Sequence, residues 1–326
     1  MKTTLKCTIC PKGCELAPGE FGDCRVRTNI DGTICCTTYA HPCGLNMDPI
    51  EKKPLFHVLP GSSILSVATA GCNLHCKPCQ NHTISQKGEA DSSGGSKLPP
   101  NELVAIAREK GVPSIAYTYT EPLVSYEYTY DCCKAAAEAE IKNVLVTAAY
   151  INPDPLRALC PYVDAANVDL KSFSDDFYQN ICGARLQPVL HALKGMKAGG
   201  VFLEITNLLI PTLNDSAEET KQLCNWVIEN LDNETPLHFS RFFPQHQLQH
   251  LPPTPEETLL YAREIAVNAG LKFVYVGNLQ SREGENTRCP TCGKLLIERR
   301  GYRVVQNRID LGKCPGCKTP IPGIWD

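Results

Sequence analysis

Between residues 63 and 277 the chain alternates two hydrophobic rhythms. Short β-rich runs recur as "ILSVAT" (64–69), "SIAYTY" (114–119), "NVLVTA" (143–148), "AANVDLK" (165–171), "VFLEIT" (201–206), "LHFSRF" (237–242) and "KFVYV" (272–276). Between them lie stretches with helical spacing. In "NELVAIAREKG" (101–111), Leu103, Ile106 and Ala107 fall at i, i+3 and i+4, and Gly111 stops the run. "TPEETLLYAREIAVNAG" (254–270) carries acidic residues in its first turn and ends on Gly270. Strands alternating with helices predict a parallel sheet, and six or seven such units favour a full or partial (β/α) barrel over a doubly wound sheet. In either architecture, ligands gather at the carboxyl ends of the strands. The Gly/Ser/Pro-rich stretch "EADSSGGSKLPP" (89–100) reads as a flexible loop before the first helix.

Composition changes this picture at the two ends. The chain has 326 residues, 43% of them apolar, a net charge of −3 and 19 cysteines. The N-terminal "MKTTLKCTIC" has no apolar signal region and no run approaches transmembrane length, so a soluble, cytoplasmic protein without membrane contact is expected. Disulfide-rich scaffolds are mostly small secreted domains, so this many cysteines in a large chain points to metal. Seven lie within residues 7–43, three at 72–79 and four at 289–317. Cys132, Cys133, Cys160, Cys182 and Cys224 are scattered and read as small buried hydrophobes. The mild charge, with no basic stripe, excludes a nucleic-acid binder built on electrostatics.

The middle cysteines, Cys72, Cys76 and Cys79 in "GCNLHCKPCQN", follow the first strand directly at C-x3-C-x2-C spacing. Three thiolates are one short of a closed tetrahedral site. A metal centre held by them keeps one position open. A structural zinc loop borrowing His75 or His82 is the plainer alternative.

The motif resembles the cluster motif of the radical S-adenosylmethionine (SAM) superfamily. "MDPIEKKPLFHVLPGS", "CQNHTISQ", "IAYTYTEPLVSYEY" and "AANVDLKSF" are similar to the AmmeMemoRadiSam radical SAM enzymes, relatives of the pyruvate formate-lyase activating enzymes. That resemblance implies a 4Fe-4S cluster on Cys72, Cys76 and Cys79, with SAM on the fourth iron. Reductive cleavage to a 5′-deoxyadenosyl radical and hydrogen abstraction from a protein, peptide or small molecule would follow. It places Thr118, Tyr119, Thr120 and Glu121 at the methionine end of SAM, and Lys171 at its carboxylate with Asp169 in support. Glu204, Thr206, Asn207 and His246 fall toward the ribose. Plain readings stand beside these: Glu204 as ordinary barrel-interior polarity and Lys171 as a surface lysine. Two positions depart from the pattern. Pro78 stands where an aromatic is usual, and Val146 where the activating enzymes carry an acid, which puts a cation beside SAM in doubt. The implied partners are a flavodoxin- or ferredoxin-type electron donor and AMMECR1-like and Memo-like proteins.

Cys289, Cys292, Cys314 and Cys317 form C-x2-C-x21-C-x2-C, a zinc-ribbon or rubredoxin-like pattern for one closed structural site, zinc first. Cys7, Cys10, Cys14 and Cys24 form a second four-thiol set for zinc or an auxiliary iron–sulfur cluster, with Cys35, Cys36 and Cys43 to spare. The expected fold is thus α/β: a partial (β/α)6-type TIM barrel over residues 56–283, with cysteine-rich modules at 1–55 and 284–326. A metal-binding scaffold or electron-transfer protein without SAM turnover is the competing function, and it has no need of "TYTEP" and "VDLK".

Overall fold

The computed structural model describes residues 3–88, 97–279 and 284–326. An eight-stranded sheet lies at its centre: β1 (Pro42–Pro49), β2 (Ser63–Thr69), β3 (Ser114–Tyr117), β4 (Lys142–Thr147), β5 (Ala165–Asp169), β6 (Phe202–Leu209), β7 (Leu237–Arg241) and β8 (Val274–Gly277). The spatial order is the sequence order. Strands β2 to β8 run parallel, and β1 pairs antiparallel with β2. This is the singly wound order of a partial (β/α) barrel, with no pairing between β1 and β8 among the described residues. All seven β-rich runs become the parallel strands, one more than a six-unit barrel requires. Strand β1 had no comparable signal. It has proline at both ends and a glycine inside, and most of it is exposed or half-buried, which weakens any β pattern.

Helices α1 (Pro100–Glu109), α2 (Tyr126–Glu138), α3 (Pro153–Leu159), α4 (Leu186–Ala198), α5 (Ala217–Asn230) and α6 (Glu256–Ala269) connect the strands. Each buries a stripe. In α1 this is Leu103, Val104 and Ala107, and a fully buried leucine such as Leu103 contributes about 1.5–3 kcal/mol. The Ser216 side chain caps α5 by accepting from the Glu219 N–H, and Gly270 ends α6 at φ +111°. Of the Gly/Ser/Pro-rich stretch, residues 89–96 lie outside the described residues, while Leu98 is buried and its carbonyl accepts from the Tyr128 hydroxyl at 2.7 Å.

Strand alternation sorts the core. Leu65, Val67, Ile115, Tyr117, Leu145, Val168, Leu203 and Ile205 belong to the main core with the helices. The intervening Ile64, Ala116, Val144 and Ala165 pack with Ile50, Leu55 and Val58 in a second cluster, on the opposite face. The C-terminal module is a three-stranded antiparallel sheet (Thr287–Arg288, Leu295–Arg300, Arg303–Asn307), with Leu296, Ile297 and Ile321 packed on Phe56, Phe273 and Tyr275 of the barrel. No helix among the described residues is long and apolar enough to cross a membrane.

Candidate active site

The loop after β2 starts with Gly71 at φ +96°, where an added Cβ would meet the Cys24 carbonyl at 2.8 Å and Val26 at 2.6 Å. Only glycine fits this approach. The loop is then held by its backbone. The His75 and Lys77 amides donate to the Cys182 and Ile181 carbonyls at 2.8 and 2.9 Å, and the Lys77 carbonyl accepts from the Gln247 amide at 2.9 Å. Cys72 Sγ accepts the Leu74 N–H at 3.4 Å, and Cys79 Sγ lies 3.3 Å from Ser85 Oγ.

Cys72, Cys76 and Cys79 line one cavity of about 740 Å³, which Thr118, Tyr119, Thr120, Glu121, Asp169, Lys171 and Thr206 also line. The sequence expectations therefore converge. The Thr118–Glu121 turn is built to keep its shape: Thr118 N–H donates to the Val67 carbonyl at 3.0 Å, and Thr120 Oγ1 to the Thr69 carbonyl at 2.6 Å. Glu121 accepts from Thr147 Oγ1 at 2.6 Å, the Ala148 N–H at 2.8 Å and the Leu123 N–H at 3.1 Å. Burial raises its carboxyl above the usual range, and these three donors oppose that shift. Lys171 Nζ donates to Asp169 at 2.7 Å. Burial works against its charge, but the Asp169 carboxylate outweighs it, so Lys171 stays well above the ordinary lysine value.

Other expected residues fall elsewhere, for reasons of phase. On β6, Thr206 and Leu208 line the cavity, whereas Asn207 points the other way and donates to the Leu170 carbonyl at 2.8 Å. Glu204 has the phase of Thr206 but is fully buried and absent from the lining. It accepts from the His57 N–H at 2.7 Å and pairs with His238 Nε2 at 2.6 Å. His246 also lies off the lining, its ring stacked on His82 with centroids 4.2 Å apart. Pro78 and Val146, the two departures from the pattern, both face the cavity.

Sequence reasoning missed two groups. Asp48 accepts from Lys52 at 2.8 Å, Lys53 at 2.7 Å, Ser66 at 2.8 Å and the Tyr119 hydroxyl. Burial opposes its ionisation, but these donors hold Asp48 well below the usual carboxylate range. The Lys53 ammonium, itself buried, sits 4.3 Å from the Tyr119 ring centroid. The second is Cys182. Like the other four scattered cysteines it is buried, but it neighbours Cys76. A hydrogen bond from the Cys182 thiol pulls the Cys76 thiol below its ordinary value against burial, and the Lys171 charge adds to the effect.

The donor set discriminates between metal types. At the C-terminus, Cys289 and Cys317 sulfurs lie 3.5 Å apart, Cys292 and Cys314 sulfurs 3.7 Å, and all four within 4.8 Å of one another. Zinc–sulfur bonds of about 2.3 Å in a tetrahedron put sulfurs about 3.8 Å apart, so this set fits a single ion. Among the described residues no other three ligand atoms converge so closely. Cys72, Cys76 and Cys79 do not converge in this way, and three thiolates with no fourth protein ligand are a donor set that fits an iron–sulfur cluster with one open position. Neither histidine is placed as a fourth ligand: His75 bonds Asp23 and Gln86 at 2.9 Å, and His82 Nδ1 lies 3.2 Å from the Cys79 carbonyl.

The sequence pattern of the Radical SAM superfamily matches residues 66–224. An uncharacterized protein of Methanocaldococcus jannaschii is 44% identical over 319 residues, 97% of this chain and 95% of its own. The pyruvate formate-lyase-activating enzyme of Clostridium pasteurianum is 27% identical over 169 residues, 50% of this chain and 68% of its own. In fold, a radical SAM methyltransferase from Sphaerobacter thermophilus superposes with a TM-score of 0.52 at 17% identity, over 72% of this chain and 71% of that one. Streptococcus suis SuiB bound to S-adenosylmethionine gives 0.53 at 15% identity, over 74% of this chain and 56% of that one.

Proposed function

Because the chain belongs to the radical SAM superfamily, we propose that it cleaves SAM reductively and uses the product to take a hydrogen atom from a protein or peptide. The observation that carries this reading is the meeting of three open thiols with the Lys171–Asp169 pair and the Thr118–Glu121 turn in a single cavity. When bound, a 4Fe-4S cluster supplies one electron that splits SAM into methionine and the 5′-deoxyadenosyl radical, which becomes 5′-deoxyadenosine on abstracting hydrogen.

The chain's own residues do the rest. Cys72, Cys76 and Cys79 would hold the cluster and leave it one open position for SAM. Lys171 presents a cation to the SAM carboxylate, with Asp169 fixing its direction. Thr118 to Thr120 receive the methionine end on a turn that Glu121 keeps rigid, and Thr206 faces the ribose. The electron comes from a flavodoxin- or ferredoxin-type donor. A polypeptide substrate is supported by the activating-enzyme relative and by a mouth walled partly by Gly301 and the half-exposed Tyr302 of the C-terminal module. AMMECR1-like and Memo-like proteins are the partners to try first.

The test is anaerobic reconstitution with iron and sulfide, then SAM and dithionite, with 5′-deoxyadenosine as the readout. Production by the wild type and none by Cys76→Ala is the expected result. Cluster-loaded wild type that binds no SAM and forms no deoxyadenosine would leave a scaffold or electron carrier instead.

A further inference from the structure

The N-terminal cysteines are arranged unlike the C-terminal ones. No three of the sulfurs of Cys7, Cys10, Cys14 and Cys24 lie within 4.8 Å of one another, so they do not close on a point. Yet Cys10 has the other three as neighbours. Cys10 is in electrostatic reach of Cys7 and Cys14, and Cys24 of Cys10. The Cys7 N–H donates to the Cys14 carbonyl at 2.8 Å, tying the first and third together.

One of the sulfurs also has an amide donor aimed at it: Asp23 N–H donates to Cys14 Sγ at 3.4 Å. Hydrogen bonds to thiolate sulfur are a main protein control over iron–sulfur clusters. The spare thiol Cys36 packs beside Cys24, Val26 and Val124 with its sulfur on hydroxyls, 3.3 Å from both Thr38 Oγ1 and Ser125 Oγ.

This set lies directly against the loop that carries Cys72, Cys76 and Cys79. Gly71 touches the Cys24 carbonyl, as shown by the clash an added Cβ would make. Asn73, 1% exposed and near Cys10, donates its Nδ2 to the Tyr150 carbonyl at 2.8 Å, and its Oδ1 has no hydrogen-bond partner. Lys12 and His75 both bind Asp23, at 2.7 and 2.9 Å. Asn152, after β4, donates to the Thr8 carbonyl at 2.7 Å and the Cys10 carbonyl at 3.1 Å.

We propose that Cys7, Cys10, Cys14 and Cys24 hold a second iron–sulfur cluster, fully ligated by protein, seated against the loop of the first. Four thiols that do not close on one point suit an iron–sulfur cluster, while the C-terminal set, close enough for a single ion, takes the mononuclear metal. Four thiolates leave no iron open to SAM, so this site's chemistry is confined to charge and electrons.

The assignment is independent of SAM turnover and is read in protein that lacks the first cluster. The full chain with Cys72→Ala, Cys76→Ala and Cys79→Ala is purified and reconstituted anaerobically, then analysed for iron, acid-labile sulfide and zinc, with EPR after dithionite. The expected result is about four irons with matching sulfide per chain, a reduced-cluster EPR signal, and loss of both on adding Cys10→Ser and Cys24→Ser. Iron and sulfide counts on the unmutated chain, about eight against about four, decide the question if the triple variant does not fold. A second zinc per chain, iron without labile sulfide, or no metal at these cysteines would overturn the proposal.

Discussion

The Lys171 ammonium and the Asp169 carboxylate meet at 2.7 Å on the wall of the cavity that the three loop cysteines share. Two residues apart at the end of β5, they sit on the part of a parallel strand where ligands are received. The geometry gives Lys171 a fixed direction and a secured charge, and both are properties of a carboxylate receptor.

Lys171→Met is therefore expected to weaken SAM binding by about 10- to 100-fold, the equivalent of one charge-assisted hydrogen bond of roughly 1.5–3 kcal/mol. Cluster absorbance and iron content remain at the wild-type level, because no thiol is altered. Equilibrium dialysis of SAM against reconstituted protein measures the loss. Unchanged affinity would return Lys171 to the role of an ordinary ion-pair partner.

Gly71→Ala is predicted to disturb the cluster loop from behind. The new methyl group meets backbone at 2.8 Å, which cannot yield as a flexible side chain would, and the φ of +96° strains any L-residue. A loss of about 2–4 kcal/mol of stability is expected. Urea denaturation of the reconstituted protein checks it, along with a fall in iron content. The variant separates this contact from chemistry, because Gly71 itself offers no ligand.

Much of this site was legible in the sequence because strand ends carry it. The seven β-rich runs, "TYTEP", "VDLK" and the cysteine spacing mark positions that a parallel sheet must bring together. What escaped depends on side-chain phase and burial. Asn207 is one residue out of step with Thr206, so β6 turns it away from the cavity. Lys53 stands in "EKKP" with no apolar pattern to mark it as buried, yet Asp48 and the Tyr119 ring make a place for its ammonium. Cys182 looked like any small buried hydrophobe, and only the fold brings it beside Cys76. His246 carried no signal that its ring would stack on His82 rather than enter the cavity.

Acid is expected to loosen the joint between barrel and C-terminal tail through His57. Its Nδ1 donates to the Pro322 carbonyl at 2.6 Å, and its Nε2 lies 2.7 Å from the Tyr275 hydroxyl, so the neutral ring accepts there. Full burial pulls its pKa down from 6.5 to about 4. The unfolded chain therefore binds a proton that the folded chain refuses. This contribution to stability is complete above pH 6.5, falls as pH drops through the window from 6.5 to 4, and amounts to about 3 kcal/mol in all. Urea titrations at pH 7, 5.5 and 4.5, followed by the fluorescence of Trp325, whose ring centroid is 5.6 Å from His57, measure it in a Trp226→Phe background. His57→Gln should flatten that part of the pH dependence at equal metal content. An unchanged slope would show that other groups carry it.

Arg299 reaches from the C-terminal sheet into the barrel, and its pairing with Glu51 sets a harder test. Both side chains are fully buried and their charged atoms stand 3.7 Å apart, longer than a hydrogen bond. Arg299 spends its other donors on the Phe56 carbonyl at 2.6 Å and on Thr287 Oγ1 at 2.9 Å, while Glu51 Oε2 and Arg299 Nε have no hydrogen-bond partner. Burial pushes the Glu51 carboxyl up and the Arg299 guanidinium down, so desolvation outweighs the attraction on both sides. The pair is then poor in net stability but costly to break one side at a time. Arg299→Met leaves the buried Glu51 carboxylate with no cation and only the Gly61 N–H at 2.9 Å, and should cost about 3–5 kcal/mol. Glu51→Gln removes the charge that faces the arginine and should also destabilise, by less, because Arg299 keeps its carbonyl and hydroxyl partners. The double variant is expected to be more stable than the sum of the two losses, with a coupling of about 1–3 kcal/mol. Urea midpoints of the four proteins with the C-terminal site metal-loaded measure it. Strict additivity would mean that Arg299 holds the module through the Phe56 carbonyl and ring alone, and that Glu51 is only a neighbour.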